Sequence, residues 1–167
     1  DVCSSDLNLP TEALDDYGFR SSMGGQICLA WNPFREDFDE TIARALVAQY
    51  KELRHLLTGD YYPLTSLGSS WLAMQFHRPD LDEGLVLVFH RKQSIMPEAL
   101  IPAEATAASS LQLYLHGLIP DASYELQIDG REQNGGKLGV SLMKEGFEIG
   151  LPQPPSSALL RYRGTKP

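Results

Sequence analysis

Several features that would define a function are scarce in this sequence. Its 167 residues include two cysteines, Cys3 and Cys28, too few for a disulfide framework and not at metal-ligand spacing from the four histidines. We interpret Cys28 as a reduced, buried thiol. Lys and Arg number 14 against 22 Asp and Glu and form no stripe, which argues against nucleic acid or an anionic membrane as partner. The longest apolar runs, such as 85–89, are only strand length, so we expect no membrane span.

Length limits the architecture. A chain of 167 residues with 43% hydrophobic residues can form one domain with its own core. It cannot hold a catalytic barrel of roughly 250 residues together with a second domain.

The first seven residues resemble a sequencing scar. Asp1-Val2-Cys3-Ser4-Ser5-Asp6-Leu7 is what a common sequencing-library adapter encodes when it is translated, and such segments are excluded from fold reasoning. We therefore interpret 1–7, including Cys3, as an artefact and expect the gene to continue upstream of Asn8.

One segment has a clear helical pattern. Asp37 followed by Glu40 predicts a capping box, and apolar residues then recur at helical spacing over 38–57. Gly59 follows and is predicted to be a left-handed C-terminal cap. Upstream of this helix the pattern is irregular, with one short strand predicted at 27–31.

Downstream of the helix the pattern is that of strands separated by turns. Two apolar runs, 71–78 and 84–91, bracket a turn-rich connection and predict an antiparallel hairpin. Further strands are predicted at 111–116, 124–129, 147–151 and 158–162. The stretch 92–110 is predicted to be a long surface loop. Strands at these intervals favour an antiparallel β-sandwich of Greek-key type.

Acidic residues that could serve in acid–base catalysis all have an ordinary structural explanation. Asp15 and Asp16 are predicted to form a turn or an ion pair with Arg20. The others fall in the first turn of the helix or in the hairpin turn, where acidic residues are common; they are Asp37, Asp39, Glu40, Asp80, Asp82 and Glu83. None forms a convincing catalytic pair.

Histidines and aromatic residues give no stronger indication of a site. His77 and His90 could approach each other across the hairpin, but two histidines without a third ligand are weak evidence for metal. The aromatic residues of this region are more consistent with core or interdomain packing than with a sugar-stacking platform; they are Tyr61, Tyr62, Trp71, Phe76 and Phe89. We therefore predict no catalytic, cofactor-binding or metal-binding residue in this chain.

A series of short sequence segments follows one another along the chain, at 16–24, 38–57, 60–64, 71–81, 115–124, 150–152 and 157–162. The segment from Leu115 to Tyr124 has the pattern L-x-G-L-x-P-x-A-x-Y. In this order and spacing the segments resemble the C-terminal portion of the α-galactosidases of glycoside hydrolase family 36.

The resemblance implies an α+β fragment with two parts. Residues 8–58 would be the C-terminal end of a (β/α)8 TIM-barrel catalytic domain, including its last helix, and 59–167 a C-terminal antiparallel β-sandwich of Greek-key type. The helix would bury its apolar stripe on the barrel, so the chain alone should expose that stripe.

The resemblance also implies an activity for the intact parent. The parent would hydrolyse terminal α-linked galactose from oligosaccharides by a retaining double displacement, without a cofactor. Its aspartate nucleophile and aspartate acid/base would lie upstream of this chain, so no catalytic residue carries over and the chain alone should be inactive. A galactose-containing oligosaccharide would be the partner, bound through the missing barrel. We expect a cytoplasmic protein, and a homo-oligomer is compatible with the sequence.

Two other interpretations stay open. The chain could be a non-catalytic carbohydrate-binding or interaction sandwich whose aromatic residues bind sugar. A surface row of aromatics would favour this module, whereas burial of Trp71, Phe76 and Phe89 would count against it. The chain could also be the tail of another barrel glycosidase, because fold alone does not define substrate.

Overall fold

The structure is a computed structural model, and it describes residues 14–24, 27, 31–66, 69–92, 109–151 and 153–165. These residues form three helices and nine strands: α1 (Asp16–Met23), α2 (Glu40–Leu53), β1 (Asp60–Pro63), β2 (Trp71–Arg78), β3 (Glu83–His90), β4 (Ser110–Leu113), β5 (Ser123–Ile128), β6 (Arg131–Glu132), β7 (Lys137–Leu138), α3 (Gly139–Lys144), β8 (Phe147–Gly150) and β9 (Ser156–Thr165). No helix in these ranges is long and apolar enough to cross a membrane.

Seven of the described strands form one large antiparallel sheet in the order β1-β2-β3-β9-β5-β6, with β7 also paired to β5. The predicted hairpin is confirmed, since β2 and β3 pair from Trp71 opposite His90 to Arg78 opposite Glu83. All eight residues of β3 are buried. A continuously apolar strand is expected where both faces of a sheet are covered.

Different layers cover the two faces of the large sheet. On one face a two-stranded sheet of β4 and β8, together with α3, packs over Val86, Val88 and Leu160. On the other face α1 and α2 pack over Leu85, Leu87 and Leu159. We call these the ribbon face and the helix face. The adjacent residues Leu159 and Leu160 point to opposite faces, as the two-residue period of a strand requires.

Helix α1 was not predicted from the pattern, because Gly18 and two serines give it weak helix propensity. Its N-cap is Asp15, whose side chain accepts a hydrogen bond from the Gly18 N–H at 2.6 Å. Phe19 and Met23 are buried against the helix face of the sheet. Tertiary packing therefore forms this helix where local propensity alone does not.

The predicted start of α2 is wrong by a few residues. Asp39, not Asp37, is the N-cap: its carboxylate accepts hydrogen bonds from the Thr41 and Ile42 N–H groups at 2.8 and 3.1 Å. Asp37 instead receives two hydrogen bonds from the Arg35 guanidinium, at 2.8 and 2.7 Å. That bidentate pair holds the Asp37 carboxylate away from the helix terminus.

Gly59 has a different role from the predicted left-handed cap. Helix α2 ends at Leu53 and its C-cap is Arg54, which has right-handed helical torsions. A Cβ on Gly59 would lie 2.2 Å from the His77 carbonyl oxygen on β2. A glycine is required here because the backbones approach closely, not because of its own torsion angles.

The α+β class and the antiparallel sheet are confirmed, and the barrel remnant, the Greek-key sandwich and the domain boundary at 58/59 stay predictions. Contrary to expectation, the main apolar stripe of α2 lies on the sheet, through Leu46 and Leu53. Four predictions fall wholly or mostly outside the described residues: the scar at 1–7, the strand at 27–31, the thiol of Cys28 and the loop at 92–110.

Candidate functional site

The acidic residues that the sequence singled out near α1 and α2 have structural partners. Besides the Asp15 cap, Asp16 lies 3.6 Å from the Arg20 guanidinium, which confirms the predicted ion pair. At α2, Glu40 pairs with Arg44 one turn later. The hydrogen bonds from Arg35 lower the pKa of the Asp37 carboxyl. None of these groups is arranged as a pair around a substrate.

The acidic residues Asp80 and Glu83 of the β2–β3 turn are also paired with arginines. Asp80 binds the Arg78 guanidinium at 2.7 and 2.6 Å, which lowers the pKa of Asp80. Glu83 is buried and binds Arg161 and Arg163. Burial acts to raise the pKa of Glu83, but the hydrogen bonds from the two arginines outweigh it and lower the pKa.

The predicted approach of His77 to His90 is wrong. The register places His90 opposite Trp71 and His77 opposite Gly84, at opposite ends of the hairpin. His90 stacks on Trp71 instead, with ring centroids 4.3 Å apart and planes at 4°. Among the described residues, no group of three or more His, Cys, Asp or Glu could hold a metal ion.

A buried polar network occupies the ribbon face next to β2. The Gln75 side chain donates to the Tyr162 hydroxyl and to the His116 carbonyl, each at 2.7 Å, and its oxygen accepts from the His116 N–H at 2.8 Å. His77 Nδ1 lies 3.1 Å from the same hydroxyl. Burial lowers the pKa of His77 and raises that of Tyr162, so both stay neutral near pH 7. The network fixes the turn at 115–117 to the sheet.

A second polar contact joins this turn to the hairpin. The Tyr124 hydroxyl donates to Asp82 Oδ1 at 2.5 Å and accepts from the Ile119 N–H at 2.9 Å. Burial, with the hydrogen bond to Asp82, raises the pKa of Tyr124 to about 12. Gly164 permits this arrangement, since a Cβ there would lie 2.0 Å from Asp82 Oδ2. The Asp82 carboxylate therefore accepts a hydrogen bond from a tyrosine hydroxyl that stays protonated near pH 7.

Two ion pairs attach the helices to the sheet. Arg20 of α1, with 3% of its side chain exposed, lies 2.9 Å from Asp129. Its guanidinium also donates to the Ser157 carbonyl at 3.3 Å. On β9, Arg161 binds Glu52 of α2 at 2.7 Å and Glu83 of β3 at 2.6 Å. These contacts fix the helical layer in one position on the sheet.

The aromatic residues do not form a sugar-binding surface. Trp71, Phe76 and Phe89 are 2%, 6% and 3% exposed. Tyr61 is exposed but leans on Phe76, with ring centroids 5.5 Å apart. This burial counts against the carbohydrate-binding module and confirms packing as the role of these side chains.

A groove of about 710 Å³ runs along the outer side of α2. We call it the α2 groove. Its lining is mainly apolar with a charged rim: Trp31, Pro33, Phe38, Ala43, Val47 and Ala48, with Glu40, Arg44 and Lys51. Phe34, beside it in sequence, is 94% exposed. The described residues that line the groove include one carboxylate, Glu40, and no histidine, so they form no arrangement suited to catalysis.

No protein-family model and no curated protein sequence matches the chain. Solved structures do. The GH36 α-galactosidases AgaB and AgaA of Geobacillus stearothermophilus match 89% of this chain at 26% identity, with TM-scores of 0.58 and 0.59. An α-galactosidase of Lactobacillus brevis matches 78% at 18% identity and a TM-score of 0.57, which shows the fold alone.

The chain matches a portion of a family 36 α-galactosidase. It spans 19% of the length of AgaA and of AgaB, so it is similar to about a fifth of such an enzyme. The recognition made from the sequence segments is therefore confirmed. Which part of an α-galactosidase it corresponds to, and whether it has activity, are matters for proposal.

Sequence reasoning missed the polar network of this chain. One signal was present: Gln75 and His77 share a strand face with Trp71 and Ala73, because side chains two residues apart point the same way. A polar residue on an otherwise apolar strand face predicts a buried hydrogen-bonding partner. Its partner Tyr162 lies 87 residues from Gln75, too far for any local pattern to indicate.

Proposed function

We propose that the chain is the C-terminal portion of a retaining glycosidase that hydrolyses terminal α-galactosides. In this proposal it supplies the last helix of the catalytic barrel and a stabilising β-domain, and it has no activity alone. The observation that carries the proposal is the match to AgaA and AgaB over 89% of the chain at 26% identity.

The proposed substrate class follows from those relatives. Variants of AgaA have been solved in complex with raffinose and with stachyose. We infer that the parent of this chain acts on galactose-containing oligosaccharides of the same kind. The sugar would be bound by parts of the parent outside this chain.

The lack of activity in the chain alone follows from the two-carboxylate mechanism. A retaining glycosidase needs two carboxyl groups about 5 to 5.5 Å apart, one as nucleophile and one as acid/base. The acidic residues that the sequence singled out are helix caps or partners of arginine or tyrosine. Those roles support a scaffold and leave the chemistry to upstream aspartates.

A chimera tests the proposal. The portion of AgaB that matches this chain is replaced by the chain, and hydrolysis of a nitrophenyl α-galactoside is measured beside intact AgaB and AgaB lacking that portion. We expect activity in the chimera and none in the shortened enzyme. The isolated chain should give no hydrolysis. A chimera as inactive as the shortened enzyme, or hydrolysis by the isolated chain, would contradict the proposal.

A further inference from the structure

Helix α2 is apolar on two sides, and the sheet covers only one of them. Leu46 and Leu53 are buried on the helix face of the sheet. Val47 and Ala48 point instead into the α2 groove, together with Ala43. A helix on the surface of a complete domain normally has one apolar stripe and an opposite polar face. The second apolar side therefore indicates a second neighbour.

Exposed side chains beside the groove indicate the same. Phe34 is 94% exposed and Ile42 is 42% exposed, and Trp31 and Phe38 are only partly covered. Single exposed apolar residues are ordinary, but Phe34 and Ile42 each adjoin in sequence a residue that lines an apolar groove, and such a groove marks an interaction surface. The rim adds Glu40, Arg44 and Lys51. An apolar centre with a charged rim is the usual anatomy of a protein–protein interface.

We propose that the α2 groove is the docking surface for the part of the parent α-galactosidase that this chain lacks. This inference rests on the proposed function and names the partner of one particular face. Its occupant is chosen by length: the chain spans 19% of AgaB, so about four fifths of an enzyme of that size lies outside it. The occupant presents apolar side chains to Trp31 and Val47 and an acidic group near Lys51, since opposite charges meet across such rims.

Cysteine labelling tests the proposal directly. Phe34→Cys is made in the isolated chain and in the AgaB chimera, and its reaction with a maleimide is followed by mass spectrometry of the peptide that contains residue 34. Tyr114→Cys is the matched control, because Tyr114 is also aromatic, is 48% exposed and follows β4 on the ribbon face. We expect position 34 to react at least about tenfold more slowly in the chimera, because it adjoins Pro33 of the groove lining and a bound occupant would shield it from solvent. Position 114 should react equally in both proteins.

Sedimentation of the isolated chain is a second measurement that needs no chimera. The uncovered groove should cause concentration-dependent association, which Phe34→Ser weakens and Tyr114→Ser leaves unchanged. Association that Phe34→Ser does not weaken, or its absence, would count against the groove as the sticky surface. A discrete dimer through residue 34 that persists in the chimera would make a second copy the occupant and overturn the proposal.

The labelling outcome is separable from the failure of the proposed function. An active chimera in which position 34 labels as fast as in the isolated chain would overturn the docking surface and leave the glycosidase assignment standing. An inactive chimera in which position 34 is protected would overturn the glycosidase assignment and leave the docking surface standing. Each result thus decides one proposal without the other.

Discussion

On the ribbon face of the large sheet the covering layer comes from one continuous stretch, because β4, β8 and α3 all lie within 110–150. On the helix face the layer is α1 and α2, which come from the other end of the chain. The ribbon face is closed by the Gln75–Tyr162 network and the Tyr124–Asp82 contact. The helix face is closed only toward the sheet, and its outer side carries the α2 groove.

The difference teaches how two layers that cover one sheet can differ on their outer sides. The ribbon layer is joined to the sheet by side-chain hydrogen bonds within the chain, and the stretch 110–150 that supplies it exposes Tyr114, Ile119 and Leu138. The helical layer combines an apolar groove on its outer side with the exposed Phe34 and Ile42. The groove, rather than exposure by itself, supports the proposed docking surface on α2.

The largest expected effect comes from two variants of β9, one of which alters the helix face and the other the ribbon face. Leu159→Ala and Leu160→Ala remove the same atoms from adjacent positions of β9, where the residues are 4% and 0% exposed. A Leu→Ala change in a core costs roughly 2 to 5 kcal/mol, depending on how well the site collapses. We expect Leu160→Ala near the top of that range and Leu159→Ala near the bottom, because the open helical layer can shift to fill the cavity. Urea unfolding measures both, and an equal or larger cost for Leu159→Ala would refute the contrast.

The next effect tests how firmly α1 is attached to the sheet. Asp129 has φ of 49°, and Asn also tolerates this left-handed conformation, so Asp129→Asn removes the charge without straining the backbone. Arg20 would then be buried with Asp16, at 3.6 Å, as its remaining carboxylate, beside its hydrogen bond to the Ser157 carbonyl. Breaking a hydrogen-bonded buried charge pair costs roughly 1 to 3 kcal/mol. The matched control is Asp121→Asn at an exposed position, and a similar small loss in both variants would show that the ion pair contributes little.

Acid should destabilise the ribbon face through His77. Burial lowers its pKa below the ordinary 6.5, with weaker opposing effects from Asp82 and Asp60. The unfolded chain therefore takes up a proton near pH 6.5 while the folded chain does not, and stability falls as the pH drops below that value. One such group contributes a slope of at most about 1.4 kcal/mol per pH unit. Urea titrations between pH 7.5 and 5 measure it.

Two comparisons identify the group responsible. His77→Gln should flatten the slope between pH 7 and 5, whereas His55→Gln, at an exposed position, should not. Glu83 acts in a separate, lower window: its pKa is lowered from 4.5, so its contribution is present above that value and lost as the pH falls through the lower folded-state pKa. If the His77→Gln variant keeps the same slope of unfolding free energy against pH above pH 5, His77 does not cause the loss of stability in acid.

The fold was predictable where the determining contacts are local. The β2–β3 hairpin follows from two apolar runs around a turn, and β5 from the alternation of apolar and polar residues over 124–129. Helix α1 was not predictable, since its stabilising contacts are with residues far away in sequence: Phe19 and Met23 pack on the sheet and Arg20 binds Asp129. The polar network depends on a partner 87 residues away, and the α2 groove on how two helices pack. That the chain contributes no catalytic residue stays a prediction.

The smallest expected effect concerns the start of α2, where sequence and structure choose different caps. Asp39 accepts two backbone N–H hydrogen bonds, so Asp39→Ala should cost about 1 kcal/mol, the usual value for an N-cap. Asp37→Ala should cost clearly less than Asp39→Ala, because an exposed ion pair contributes little. The two variants remove the same carboxylate two residues apart, and urea unfolding separates them. Equal costs would mean that Asp37 stabilises the start of α2 as much as the N-cap does. The segment 31–38, which contributes to the α2 groove, would then be fixed to the helix by the Arg35–Asp37 ion pair.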